Sequence, residues 1–456
     1  MTTPSSTNES QTNQPLPSGS NRKSALFIVF LVVFIDLLGF GIVLPLLPLY
    51  ADSLLTPLFS GSNERTVQII HGVILGLLMS SFSAMQFLFA PIWGRISDRV
   101  GRRPILLLGL TGSVVFYLLF GIASDLGAGG WLATSLVLLF VARLGAGIAG
   151  ATISTAQAVI ADCTPPQERS RGMALIGAAF GIGFTFGPLV GFASLKFRVA
   201  GAPGYFAAGL SLIALLLAIA RLPETVRADT TGLRRAWLDW NGLNRALHMP
   251  TIGGLIVIFF LATFAFGSLE STLAVLNRSL LVPESEVSNA VVASTEHQVD
   301  ESNFLIFAFV GFVLMMVQGG IYRPLAKRIP ELTFMRVGLA IMTVGLLLAC
   351  LVAWAVYSGS LERGPHVIYY ALPVLAIAVT GFAFLTPSVQ SLISRRSDPS
   401  QQGEILGANQ GASALARILG PFIGLSTFKL EPAHITPYAM SVVLLFVVFL
   451  MSLRLR

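Results

Sequence analysis

The chain has little charge: 11% of its 456 residues are Asp, Glu, Lys or Arg, against 54% apolar. Soluble domains carry about 25% charged residues. A chain this poor in charge cannot cover a water-facing surface, whereas the hydrocarbon of a bilayer demands little charge. Cysteine is scarcer still. Cys163 and Cys350 alone make neither a disulfide framework nor a zinc site. The five histidines fall in loops or at the ends of apolar runs, so no metal ligand set is expected. No nucleotide-binding loop, metal cluster or nucleophile elbow is present, so no cofactor and no enzymatic activity are expected.

What is present is a series of long apolar runs. They fall near residues 24–47, 69–92, 104–124, 131–159, 170–194 and 202–220, then near 252–276, 303–322, 334–357, 367–393, 404–427 and 436–452. Each suffices for a transmembrane helix. Glycine (44) and proline (24), poor in soluble helices, are common in membrane-spanning ones. Residues 1–23 are polar and lack a signal peptide's basic start and cleavage site, so they are expected to be a disordered cytoplasmic tail.

The net charge of +7 is distributed unevenly. With the N-terminus placed in the cytoplasm, 21 of the 29 Lys and Arg lie in cytoplasmic segments. Six lie outside: Arg65, Lys196, Arg198, Arg278, Arg363 and Lys429. Arg143 and Arg417 lie within spans. This is the positive-inside pattern, with both termini cytoplasmic in a cell membrane. It accounts for the basic charge without nucleic acid.

Residues 222–250 are polar and basic and divide the chain into two six-span halves, 24–221 and 251–456. The halves echo each other. Gly187-Pro188 in span five matches Gly420-Pro421 in span eleven, and Gln157 matches Gln390, both at an offset of 233. The loop from Gly94 matches Tyr322-Arg323 onward at an offset of 228, with Ala326 in place of the acid. The reading is an all-α integral membrane protein of twelve helices in two pseudo-symmetric bundles. Such repeats place a substrate site between the halves near the bilayer midplane.

The loop after span two reads Gly94-Arg-Ile-Ser-Asp98-Arg99-Val-Gly101-Arg102-Arg103. In residue types, spacing and position it resembles the signature loop of the major facilitator superfamily. The resemblance covers all twelve spans and implies that family's fold and a gating role for the loop. Gly94 would admit a neighbouring helix, and Asp98 would sit against the N-terminus of span eleven, near Gln402–Ile405. Span four, with Arg143-Leu-Gly145-Ala-Gly147, resembles a motif of proton-coupled members. Span five, with Gly183, Gly187, Pro188 and Gly191, resembles the drug:proton antiporter motif. Physically, its glycines make a smooth face for close packing.

A charge at mid-bilayer costs at least ~2.5 kcal/mol, so each needs a reason. Asp36 lies near the middle of span one, in a setting that resembles tetracycline-type efflux proteins, as does that of Glu270 in span seven. An acid in a water-poor cavity can take up and release a proton as a cation approaches or withdraws. Asp36 with Arg143, and Glu270 with Arg417, are the candidate coupling pairs. A static ion pair locking two helices is the alternative. Spans three and eight lack the charges of tetracycline pumps, and span nine has only Arg336, which argues against tetracycline itself.

Gln86, Gln157, Gln390, Asn409 and Gln410 at mid-span suit either substrate binding or helix bridging. Phe304, Phe307, Phe309, Phe382 and Phe384 suit an apolar pocket or a lipid-facing surface. The functional expectation is proton-coupled efflux of small amphipathic or drug-like molecules by alternating access. The alternative is a facilitator or symporter importing a sugar, organic anion or other metabolite. Expected partners are the small-molecule substrate, the proton and the bilayer. The chain is expected to act as a monomer.

Overall fold

Apolar runs of this length in hydrocarbon must satisfy their own backbone, so they fold as helices. The computed structural model describes residues 19–58, 64–164, 169–224, 248–249, 251–281, 292–326, 328–397 and 402–455. It contains no strand among them. We label the helices α1 (Gly19–Val43), α2 (Leu47–Leu58), α3 (Glu64–Val100), α4 (Arg102–Ala128), α5 (Leu132–Gly150), α6 (Ile153–Cys163), α7 (Arg169–Ser194) and α8 (Ala202–Arg221). The second half holds α9 (Ile252–Leu281), α10 (Val292–Met316), α11 (Glu331–Tyr357), α12 (Ile368–Arg396), α13 (Gln402–Phe428) and α14 (Thr436–Leu453).

Eleven helical segments among the described residues are long and apolar enough to cross a membrane. The fifth predicted span coincides with α7, whose described apolar stretch runs from Gly181 through a 3-10 turn to Phe197. Span one is broken at Pro45, between α1 and α2, because proline cannot donate its backbone hydrogen bond. Span four is α5 and α6, broken after Gly150. Helix α10 ends in a π-helical turn, Val317–Tyr322. Helix α1 begins at Gly19, inside the segment expected to be a tail through residue 23. The rest of that tail, and linker residues 225–247 and 250, lie outside the described residues.

The packing repeats between halves. Helix α1 packs on α7 and α8, α4 on α5 and α8, and α3 on α5. In the second half α9 packs on α13 and α14, α11 on α12 and α14, and α10 on α12. Counted by span, these are the same pairs six positions later. The two most extensive contacts between the halves, α3 with α13 and α7 with α10, exchange under the repeat, and α2 also touches α9.

The Gly-Pro echo builds equivalent joints. A Cβ on Gly187 would lie 2.7 Å from the Leu38 carbonyl oxygen. One on Gly420 would lie 2.7 Å from the Phe264 carbonyl oxygen. Only glycine admits backbones this close, so the expected smooth face of span five is the α1–α7 joint.

Candidate functional site

Asp36 sits on α1, partly accessible. Ser113 of α4 donates a hydrogen bond to its Oδ1 at 2.7 Å, and Tyr117 donates to its backbone carbonyl at 3.3 Å. The uncharged third span thus supplies hydroxyls rather than charge. A Cβ on Gly150 would stand 3.3 Å from Asp36 Oδ2, so the glycine that breaks span four also keeps that oxygen clear.

Arg143 on α5 is 3% exposed. Its guanidinium carbon lies 4.7 Å from the centre of the Phe82 ring and 5.8 Å from that of Phe40, within cation–π range. Its Nε is buried with no hydrogen-bond partner. The expected Asp36–Arg143 ion pair is not formed in this structure. Ser113 holds the acid, and two aromatic faces hold the cation.

In the second half, Glu270 on α9 and Arg417 on α13 are within electrostatic reach of each other but form no ion pair. Arg417 Nη1 instead donates to Ser413 Oγ at 3.1 Å. Arg417 and Gln410, seven residues apart on α13, are both exposed. Two turns apart, they share a helix face.

Among the predicted polar residues, Gln86 Nε2 donates to the Gly150 carbonyl at 3.1 Å and bridges α3 to α5. Asn409 is 1% exposed, and neither of its amide atoms has a partner. Gln157 is exposed and Gln390 is half-buried. The phenylalanines are mostly packed inside the protein rather than against lipid. Phe304 and Phe307 are buried, Phe382 stacks on Phe266 at 4.0 Å, and Phe384 meets Phe334 edge-on at 5.3 Å.

The Gly94–Arg103 loop is bound within its own half. Asp98, its side chain 61% exposed, pairs with Arg102 at 2.5 Å. Arg102 also meets Asp162 of α6 at 3.3 Å, and Arg103 donates to the Ile219 carbonyl of α8 at 2.8 Å. Glu224, which sequence reasoning missed, accepts from the backbone N–H of Arg102 (2.8 Å) and Arg103 (3.1 Å). It fills the N-terminus of α4, where an anion is favoured. Gly101 has φ 109°, and a Cβ there would lie 2.5 Å from Glu224 Oε2. Arg99 is exposed. A Cβ on Gly94 would meet only Ser154 Oγ, at 3.8 Å, so the expected tight approach is absent. The expected contact of Asp98 with the start of α13 is also absent among the described residues; the side chains of 402–404 lie outside them.

Close approaches between halves gather at the opposite end. Ser80 Oγ donates to the Ile418 carbonyl at 2.6 Å. Cβ atoms on Gly72 and Gly76 would lie 2.7 Å from the carbonyl oxygens of Leu425 and Phe422. Gly191 faces Phe304, and Gly311 faces the backbone of Thr185. Among the described residues the seam between the halves is therefore closed at the α2 end, while the loop at the other end binds only its own half.

The sequence match agrees with this two-bundle geometry: residues 29–421 match the Major Facilitator Superfamily. The chain belongs to the major facilitator superfamily. Relatives of this superfamily member include the Escherichia coli tetracycline resistance protein, class E. It is 30% identical over 402 residues, 87% of this chain and 86% of the relative. Human major facilitator superfamily domain-containing protein 10 is 28% identical over 465 residues, 92% and 90% of the two chains. The solved structure of the human organic anion transporter MFSD10 (TETRAN) matches with a TM-score of 0.57 at 25% identity, over 94% of this chain and 99% of that one. A D-xylose–proton symporter, at 15% identity and a TM-score of 0.71 over 95% and 97%, shares the fold. This superfamily member is a membrane transporter, not an enzyme.

Proposed function

We propose that this superfamily member exports small amphipathic or drug-like molecules in exchange for protons, working by alternating access. Asp36 carries the reading. It is a partly accessible mid-span carboxylate held by a hydroxyl and in no ion pair among the described residues, so it can exchange a proton without first breaking a salt bridge. Glu270 has the matching place in the second half. Similarity to tetracycline resistance proteins supports efflux. Transport into sealed vesicles under an imposed pH gradient, across a compound panel, tests the proposal. Gradient-driven accumulation that Asp36→Asn abolishes is expected; accumulation indifferent to both would refute it.

A second reading, an organic anion as cargo, is favoured by Arg143 and Arg417. Neither forms an ion pair with a carboxylate among the described residues: Arg143 stacks on Phe82, and Arg417 donates to Ser413. Similarity to the human organic anion transporter MFSD10 (TETRAN) supports it. Arg143→Gln and Arg417→Gln would then abolish transport of anionic panel members while sparing cationic ones.

The Lys and Arg distribution supports a cell-membrane location with both termini cytoplasmic. The linker 222–250 divides the chain between bundles 24–221 and 251–456. Gating falls to Gly94, Asp98, Arg99, Gly101, Arg102 and Arg103, and the helix packing of the antiporter motif to Gly183, Gly187, Pro188 and Gly191. Gln86, Gln157, Gln390, Asn409 and Gln410 are the candidate cargo contacts. In this orientation the structure is closed to the outside.

A further inference from the structure

Asp52 lies on α2, at the sealed end, and is 8% exposed. Both its oxygens are engaged by cations of the other half. Lys429, just beyond α13, contacts Oδ1, and Arg278, in the last turn of α9, lies 3.5 Å from Oδ2. His71 of α3 places Nδ1 4.0 Å from Oδ1. The side chains are shielded: Asp52 12% exposed, Lys429 18%, Arg278 22% and His71 5%. These cations are two of the six Lys and Arg on the side where the charge distribution puts fewest.

The ion pairs of Arg102 with Asp98 and Asp162, by contrast, join groups of one half. The Asp52 cluster joins the ends of spans one and two to those of spans seven and eleven. It lies at the end of the α3–α13 seam where Gly72 meets Leu425. An alternating-access transporter must part this seam to expose its cavity on the α2 side. Parting it strips Asp52 of both cations. Losing one partner of a shielded pair is costly, because the remaining charge stays uncompensated.

We propose that Asp52 is a transport-determining gating residue: paired with Arg278 and Lys429, it holds the α2-side gate closed, and the pair breaks once in every transport cycle. Closure of this face then depends on a cross-half carboxylate, and the Gly94–Arg103 loop serves the opposite face. The cluster is polar and local, so neutralising it favours the opposite state without removing apolar packing from either bundle.

The test uses the full chain in membranes, with Ser80→Cys as a reporter inside the seam and a membrane-impermeant maleimide applied from each side. The native cysteines, Cys163 and Cys350, are both buried. With Asp52 intact the reporter should label slowly from the α2 side. Asp52→Asn should speed labelling at least about tenfold, equivalent to ~1.4 kcal/mol in the opening equilibrium. Asp52→Glu, which keeps the charge, should restore slow labelling. A brace that never opens would give slow labelling throughout, even during turnover. Unchanged labelling in folded Asp52→Asn overturns the proposal. Should that variant not fold, Lys429→Met and Arg278→Gln each remove one cross-half arm. A rise with either supports the gate, and no change with both overturns it. Labelling requires neither substrate nor proton gradient, so its outcome is separate from that of the proton-coupling proposal.

Discussion

Asp36 and Arg143 are surrounded by different chemistry. The acid takes a hydroxyl, and the cation takes two aromatic faces. Hydrogen bonds to charged groups contribute about 1.5–3 kcal/mol, so Ser113→Ala should slow transport roughly ten- to hundredfold while leaving the protein folded. A paired measurement of transport rate and thermal stability checks this. Arginine stacks its planar guanidinium on aromatic rings in a way lysine's compact ammonium does not. Arg143→Lys should therefore keep the charge yet cut the transport rate at least about tenfold if stacking positions the group. Wild-type rates in that variant would show that charge alone matters. Both charged residues were legible in the sequence, because any charge at mid-span demands a reason. Ser113 was not, since a serine in a span can equally bond its own helix.

At the scale of elements, the joints are glycine-built. Gly187 against Leu38 and Gly420 against Phe264 leave no room for a side chain, and overpacking costs typically 1–3 kcal/mol. Gly187→Val and Gly420→Val should each lower the melting temperature of the purified protein, and the double variant should be worse than either. Gly407→Ala meets nothing within 4 Å and should be neutral, which makes it the control. The sequence offsets announced these joints, because a repeated Gly-Pro at one spacing in two halves points to one packing solution used twice. They could not say that Gly191 crosses to Phe304 of the other half, since spacing along one helix does not name the neighbour. Arg336 makes the same point. Read as a basic residue near a span end, it donates to the carbonyls of Ser452 and Leu455 and ties α11 to the end of α14.

For the whole molecule the question is which end is closed. Asp98 makes no cross-half contact among the described residues, so Asp98→Asn should leave this conformation intact and disfavour the opposite one, in which the proposal gives the loop its partner. Accessibility of paired reporters at the two ends should then shift toward the present state. An equal change at both ends would contradict the loop's assignment. Combined with Asp52→Asn, which favours the opposite state, the two effects should partly cancel.

Sequence alone determined the membrane as solvent, the two halves, the superfamily and the mid-span charges. Each follows from composition, periodicity or local spacing, which a chain carries whatever its conformation. Tertiary structure decided which charges pair, which face is sealed and where the loop binds. Asp52 lies more than two hundred residues from Arg278 and Lys429, which belong to the other half, so their meeting depends on how the two bundles are tilted. In the proposed alternating-access cycle that tilt changes, so one sequence would encode both tilts.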